Sequence, residues 1–509
     1  MTGLSSIRSR SVPGLKAQTL PNLSANLLMH TFLWHDYETF GANTRRARPA
    51  QFAAIRTDAE LNEIGAPMML HCKPAPDFLP EPAACLITGI TPQHCLQHGI
   101  PEYQFAQKIN EEFSKSGTVG VGYNTIRFDD EITRFMLWRN LIDPYAREWK
   151  NQCGRWDILD MLRTTYALRP DGIVWPPNDE GKVSFKLEHL CAANGITHES
   201  AHDALSDVRA TIALARLVRD KQPKLFEFCF SLHKKDKVIA EIGLPEQRPF
   251  LHVTGMVPVE RGCLSVVWPL AQHPSNKNEV IVWNLEHDPR ELLGLDVATI
   301  RARLFSKTSE LPEGVTRLPI KSIHLNKSPI VIRTLKTLLP AKAQQWGISI
   351  DDALKNAEYA RALPDLNAVW EQVYQRDYDN EQDVDEDLYN GFIGNNDRRT
   401  LENLVSYSPE KLARAATQFQ DTRLNELLLR YRARNFPESL HEAEALRWEE
   451  FRHARFYNDS GGGSRPLTVD DYLAEIDRLS AQAEERTDER AQKILAALVE
   501  YAEQIVPGP

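Results

Sequence analysis

The chain has 509 residues, with 60 Lys and Arg against 70 Asp and Glu, a net charge of −10. Hydrophobic residues are 42% and charged residues 26%, which excludes collagen-like, low-complexity and wholly disordered chains. No uninterrupted apolar run approaches the ~18 residues of a membrane span, and an acidic chain can hold a polyanion only through a local basic patch or metal ions.

At about 150 residues per domain the length predicts three domains. Residues 1–28 contain Arg8, Arg10, Lys16 and several Ser, with no acid and no apolar segment. They read as a flexible tail, not a secretory signal, and Met29 is an alternative start. Strands are predicted at Thr31–Glu38, Gln51–Thr57, Ala66–Cys72 and Thr118–Gly122, from β-branched and aromatic residues bounded by Gly, Asn and Pro. Helical spacing runs through 130–140, 155–168, 185–193 and 204–221. Early strands followed by strand–helix alternation predict an α/β domain over 29–222. From 223 to 375 short strand-like pieces recur around 250–254, 264–268, 279–285 and 320–324, predicting a small β-barrel or open sheet. An acidic run at 377–387 reads as a solvated linker. Beyond it the stripes Leu424, Leu427, Leu428, Tyr431 and Ile494, Leu498, Tyr501, Ile505 predict a helical domain over 376–509. Within it, the Gly-rich stretch 460–466 is a flexible loop. The segment 223–340 carries about +4 and 341–509 about −13, so the basic excess adjoins the α/β domain. The seven cysteines are odd in number and form no C-x-x-C pair. That argues against a disulfide framework or a zinc site, and for a reducing cytoplasm.

Four acids and one histidine stand out. Asp36 and Glu38 lie two apart on an apolar strand, so their side chains share a face. Two such carboxylates repel unless a cation sits between them, and oxygen ligands suit Mg²⁺ or Mn²⁺. Taken alone, the pair reads more readily as two acids at an exposed strand end. Asp129 and Asp130 open a helix, and either is a candidate cap, Asp130 the better one. His202 precedes a helix for which Asp203 is a good N-cap, and Asp207 falls in its first turns. A histidine in that place is ordinarily structural.

The conjunction is more specific than its parts. D-x-E on a strand, an Asp opening a helix after a second strand, then His-x4-Asp opening a third element resemble the DEDD exonuclease superfamily, histidine variant. The flanks HDYETFG (35–41), RPAQFAAIRTD (48–58), LITGITP (86–92), RFDDEITR (127–134) and AHDALSDVRATIA (201–213) resemble bacterial exonuclease I. So do HVTGM (252–256), HLNKSP (324–329), LYNGF (388–392) and YRARNFP (431–437), and the likeness runs from Thr31 to Val506.

The resemblance implies a ribonuclease-H-like α/β exonuclease domain, a Src-homology-3-like β-barrel and an α-helical C-terminal domain around single-stranded DNA. It implies processive, Mg²⁺-dependent 3′→5′ release of 5′-mononucleotides, as in DNA repair and recombination. Asp36, Glu38, Asp129 and Asp207 would hold two Mg²⁺ ions (Mn²⁺ being an alternative), and His202 would act as general base. Glu38 and Lys186 would meet the terminal nucleotide. Lys186 stands where the family has arginine, keeping the charge but losing the bidentate fork. Implied DNA contacts are Arg134, Tyr145, Trp149, Arg163, Lys235, Asn278, Lys321 and Asn326. Arg169 and Phe228 fall where the family binds the C-terminal tail of the single-stranded-DNA-binding protein. The expectation is thus a cytoplasmic, monomeric DNA exonuclease. An exoribonuclease of the same superfamily and a catalytically silent repair module are the rivals. Length opposes the first, and five intact signature residues oppose the second.

Overall fold

The computed structural model describes residues 29–198, 203–375, 382–404, 406–414, 419–458 and 467–508. The predicted tail 1–28 and the Gly-rich loop 460–466 lie outside them.

The first sheet has five strands: β1 (Thr31–Thr39), β2 (Pro49–Thr57), β3 (Met68–His71), β4 (Thr118–Gly122) and β5 (Gly154–Asp157). Their order is β3-β2-β1-β4-β5. The first three pair antiparallel, while β1–β4 and β4–β5 pair parallel. β1 is central and buried on both faces, which explains its nearly unbroken apolar run. Phe32 and Trp34 face one core, shared with the helix Ala204–Lys221. Leu33 and Tyr37 face another, shared with the helices Glu102–Ser114 and Asp129–Arg139. The Trp34 indole donates to Thr57 Oγ1 at 2.9 Å, so even this buried donor is satisfied.

The second sheet holds β6 (Phe250–Val253), β7 (Leu264–Gln272), β8 (Glu279–Asn284), β9 (Ile320–His324) and β10 (Ile330–Ile332), in the order β10-β6-β7-β8-β9. All its pairings are antiparallel. Its apolar face is continuous with that of the first sheet: one cluster runs from Phe32 through Trp268 and Trp283 to Trp370. The C-terminal helices attach at two other places. Val469–Glu485 and Glu489–Ile505 pack on Phe40, Ala50, Cys85 and Cys95. Thr422–Asn435 packs on Phe135 and Trp138. Both predicted stripes face these cores, with Ile505 at the margin.

Two expectations are corrected. The helix predicted over 155–168 is a strand followed by a helix: β5 pairs with β4, and Asp157 caps Ile158–Leu168 through Leu159 N at 2.9 Å. Four strand residues are too few to break a helical period in sequence. The segment 223–375 opens with two helices, Pro223–Ser231 and Lys235–Ile242, ahead of its first strand at Phe250, where the sequence predicts the first strand-like piece. The acidic run, in its described part, is no solvated linker. Asp385, Glu386 and Asp387 are buried, and Asp385 pairs with Arg434 at 2.5 Å and Arg430 at 3.4 Å. Arginines far along the chain neutralise it, which local charge counting does not reveal.

Candidate active site

The site lies at the carboxyl ends of β1 and β4, where open α/β sheets present ligand-binding crevices. β1 alternation puts Asp36 and Glu38 on the face of Trp34. The chain then leaves β4 through a single turn, Thr125–Arg127, into the helix that starts at Asp129. β4 ends on Gly122, where a Cβ would meet Thr125 Cγ2 at 2.2 Å and the His35 carbonyl at 2.7 Å, so the tight turn requires glycine there. Asp207 comes from the first turn of Ala204–Lys221, whose N-cap Asp203 accepts from Ser206 N at 2.9 Å as expected.

Three separate elements thus deliver four carboxylates to one place. Ligand oxygens of Asp36, Glu38 and Asp207 lie within 4.8 Å of one another, alone in this among the described residues. Asp129 is buried behind them, its Oδ1 accepting from Tyr37 N at 3.1 Å. Burial, then the mutual repulsion of these acids, raises Asp36 well above the carboxylate range and Glu38 to about 8. Burial also brings Asp129 to about 8. An all-oxygen cluster of this kind fits a hard divalent cation such as Mg²⁺ or Mn²⁺, whose charge removes that repulsion.

Asp130 is not the helix cap expected of it. Phe128 stands at the cap position and no side chain caps this helix. Asp130 points away from the cluster into a buried network, with Arg147 at 2.6 Å and Arg155 at 3.2 Å. The two arginines hold it well below its ordinary range. Adjacent aspartates therefore have opposite environments, one crowded by acids and one neutralised.

His202 lies outside the described residues. His198 was not singled out in the sequence, yet its Nε2 lies 2.5 Å from Asp207 Oδ1. Its only sequence signal is a place four residues before His202. Lys186 is exposed at the start of the helix Leu187–Ala193.

The expected nucleic-acid contacts fall into groups. Arg163 and Lys321, 158 positions apart, line one cleft of about 320 Å³ between the two sheets, which also holds Arg127, Lys327 and His324. Those last three lie in the segments RFDDEITR and HLNKSP, with no individual role expected for them from the sequence. Lys235 Nζ donates to Asn278 Oδ1 at 2.7 Å. Asn326 offers its carbonyl to Arg155 at 3.0 Å. Trp149 is 66% exposed. Arg134 is buried, bonded to Glu148 at 2.7 Å and Glu131 at 3.0 Å, and stacks over Tyr145 at 5.3 Å. Arg169 donates to the Thr337 carbonyl at 3.2 Å, and Phe228 is partly buried on the helix Pro223–Ser231.

Comparison with known proteins agrees with this architecture. The family description "Exonuclease" matches residues 33–215, "Exonuclease I SH3-like domain" 233–376 and "Exonuclease I C-terminal domain" 382–505. Exodeoxyribonuclease I of Escherichia coli K12 is 44% identical over 478 residues, covering 94% of this chain and 98% of that one. The structure of a moderately thermophilic exonuclease I from Methylocaldum szegediense superposes with a TM-score of 0.88 at 47% identity, over 94% of this chain and 100% of that one. E. coli exonuclease I in complex with a dA16 oligonucleotide gives 0.86 at 43%, with the same coverage. A structure of SSB/exonuclease I in complex with an inhibitor gives 0.85 at 43%. With an exonuclease fold, an SH3-like second sheet, a helical C-terminal part and this extent of identity, the chain belongs to the exodeoxyribonuclease I family.

Proposed function

We propose that the enzyme degrades single-stranded DNA processively from the 3′ end to 5′-mononucleotides, with Mg²⁺ as its cofactor, in the cytoplasm. The observation that carries this reading is the convergence of Asp36, Glu38 and Asp207 from β1 and a distant helix onto one oxygen-lined point. With Asp129 they would hold two divalent ions, and Mn²⁺ satisfies the same ligands. When bound, such ions supply charge neutralisation at the phosphodiester and at the leaving 3′ oxygen.

The chain's own residues do the rest. His202 takes the proton of the attacking water, its ordinary value of about 6.5 suiting a base at neutral pH. Glu38 and Lys186 meet the terminal nucleotide. Arg134, Tyr145, Trp149 and Arg163 guide the strand from the exonuclease domain (29–222). Lys235, Asn278, Lys321 and Asn326 hold it from the barrel (223–375). The placement of Arg163 and Lys321 on one cleft supports that path. Residues 376–509 form the third domain and help close the groove. Arg169, which meets the Thr337 carbonyl, and Phe228 receive the acidic tail of the single-stranded-DNA-binding protein, and the enzyme acts as a monomer. All seven cysteines are free and buried, in keeping with a reducing compartment.

The deciding experiment offers 5′-labelled single strands with a free or blocked 3′ end, with and without Mg²⁺, beside the RNA counterpart. Cleavage should need Mg²⁺, DNA and a free 3′ end. Asp36→Ala or Asp207→Ala should abolish it while leaving DNA binding. His202→Ala should slow it by roughly 10²–10⁴-fold, with partial recovery at higher pH. Near-normal turnover in the aspartate variants, or RNA cut as fast as DNA, refutes the assignment.

A further inference from the structure

A second group of metal-ligating side chains lies outside the catalytic cluster. His71 ends β3, the edge strand of the first sheet. His94 and His98 are four apart on the short helix Pro92–His98, hence on one face. The ring centroids of His71 and His94 are 4.7 Å apart, and those of His94 and His98 also 4.7 Å. Two imidazoles on one tetrahedral ion, with metal–nitrogen bonds of about 2.0–2.1 Å, have centroids roughly 5 Å apart. Burial, and then the charge of both other rings, lowers the basicity of His71 and favours its neutral form.

We propose that His71, His94 and His98 form a site for one late first-row divalent cation, of the Zn²⁺, Ni²⁺ or Cu²⁺ class. Imidazole nitrogen suits these ions and suits Mg²⁺ poorly. The site has a supporting residue. Gln51 is 6% exposed, and its carboxamide nitrogen lies 3.3 Å from His71 Nε2. Turned with its oxygen toward Nε2–H, that amide fixes the tautomer and leaves Nδ1 as the ligand. As they stand, the nitrogens of the three rings are not all within 4.8 Å of one another, so binding one ion requires His94 and His98, both exposed, to turn their rings inward.

The location separates this site from the catalytic one while keeping them in register. Glu38 pairs with Gln51, and Gln51 pairs with His71, so the three share a face on adjacent strands. Two strand spacings of about 4.8 Å put the Cα of His71 roughly 10 Å from that of Glu38. Binding measurements must therefore mask the carboxylates.

The test titrates Ni²⁺ or Zn²⁺ calorimetrically, in excess Mg²⁺, into the full-length protein carrying Asp36→Ala and Asp207→Ala, because late metals displace Mg²⁺ from an intact oxygen cluster. One equivalent should bind. His71→Gln, His94→Gln and His98→Gln should each weaken binding at least tenfold, and Gln51→Ala by about 10–100-fold, the usual effect of losing a supporting residue. Co²⁺ added as a probe should give intense tetrahedral visible absorption in the parent and not in His94→Gln. Metal-free melting of the His94 and His98 variants should match the parent, since both side chains are exposed. The proposal is overturned if the protein with both aspartates replaced takes up no such ion. It is equally overturned if uptake persists unchanged in the three histidine variants.

Discussion

Glu38 and Asp130 show how position overrides residue type. Glu38 is raised to about 8 by burial and by Asp207 and Asp129, so between its ordinary 4.5 and that value the folded chain keeps a proton that the unfolded chain releases. Stability of the metal-free protein therefore falls as pH rises through this window. Divalent cations should restore more of it near pH 8 than near pH 5, because only the ionised carboxylates bind them. Melting in chelator and in Mg²⁺ across that range checks the sign, and Glu38→Gln should flatten the chelated profile. Asp130 behaves oppositely. Arg147 and Arg155 hold it low, so its contribution is present above its ordinary 3.8 and is lost only as pH falls below that value. Both acids were visible in the sequence. Asp130 met arginines 17 and 25 positions away, whereas Glu38 met Asp129 and Asp207, much farther along the chain.

The helix Ala204–Lys221 carries Asp207 to the site and its core face into the first sheet. Its N-cap Asp203 satisfies the Ser206 amide and fixes where the first turn begins. Asp203→Ala should cost about 1 kcal/mol of stability, and it should also slow cleavage by letting Asp207 fray from the cluster. Asp203→Asn, which caps equally well, should recover the melting temperature and most of the activity. Steady-state rates and thermal unfolding of the two variants together separate capping from charge, since Asn keeps only the former. This start was legible because a cap followed by an apolar period is a local signal. β5 was not, because Gly154–Asp157 become a strand only by lying against β4.

At the scale of the whole molecule, the C-terminal helices are tied to the exonuclease domain by buried charge. Arg434 lies 2.8 Å from Asp77 and 2.5 Å from Asp385, with Arg48 at 3.9 and 3.7 Å from the same acids. Removing one partner of a buried network leaves the others uncompensated. Arg434→Met should thus cost about 3–5 kcal/mol, seen as a lowered melting temperature, and Arg434→Lys should recover only part, lacking the fork that spans both acids. The cleft between the sheets carries a different expectation. Lys321→Ala should weaken binding of long single strands and reduce the log–log salt slope by about 0.7, one phosphate contact's worth. Cleavage of a very short oligomer should hardly change. Equal slowing of short and long strands, with an unchanged salt slope, would mean that Lys321 supports the fold alone.

What the sequence determined by itself was whatever is encoded locally or by the order of motifs. Alternation put Asp36 and Glu38 on one face, helical periods marked the C-terminal stripes, and the spacing of acids and histidine carried the resemblance to exonuclease I. What only the tertiary structure decided were relations between distant segments. Asp385 reads as part of a solvated acidic run until Arg430 and Arg434 are folded over it. Arg163 and Lys321 become neighbours only when two sheets share a core, and His71 meets His94 only where an edge strand passes a short helix. The physical reason is common to all three. Period and capping act over a few residues, whereas burial and electrostatic pairing act through space, between groups that chain connectivity leaves far apart.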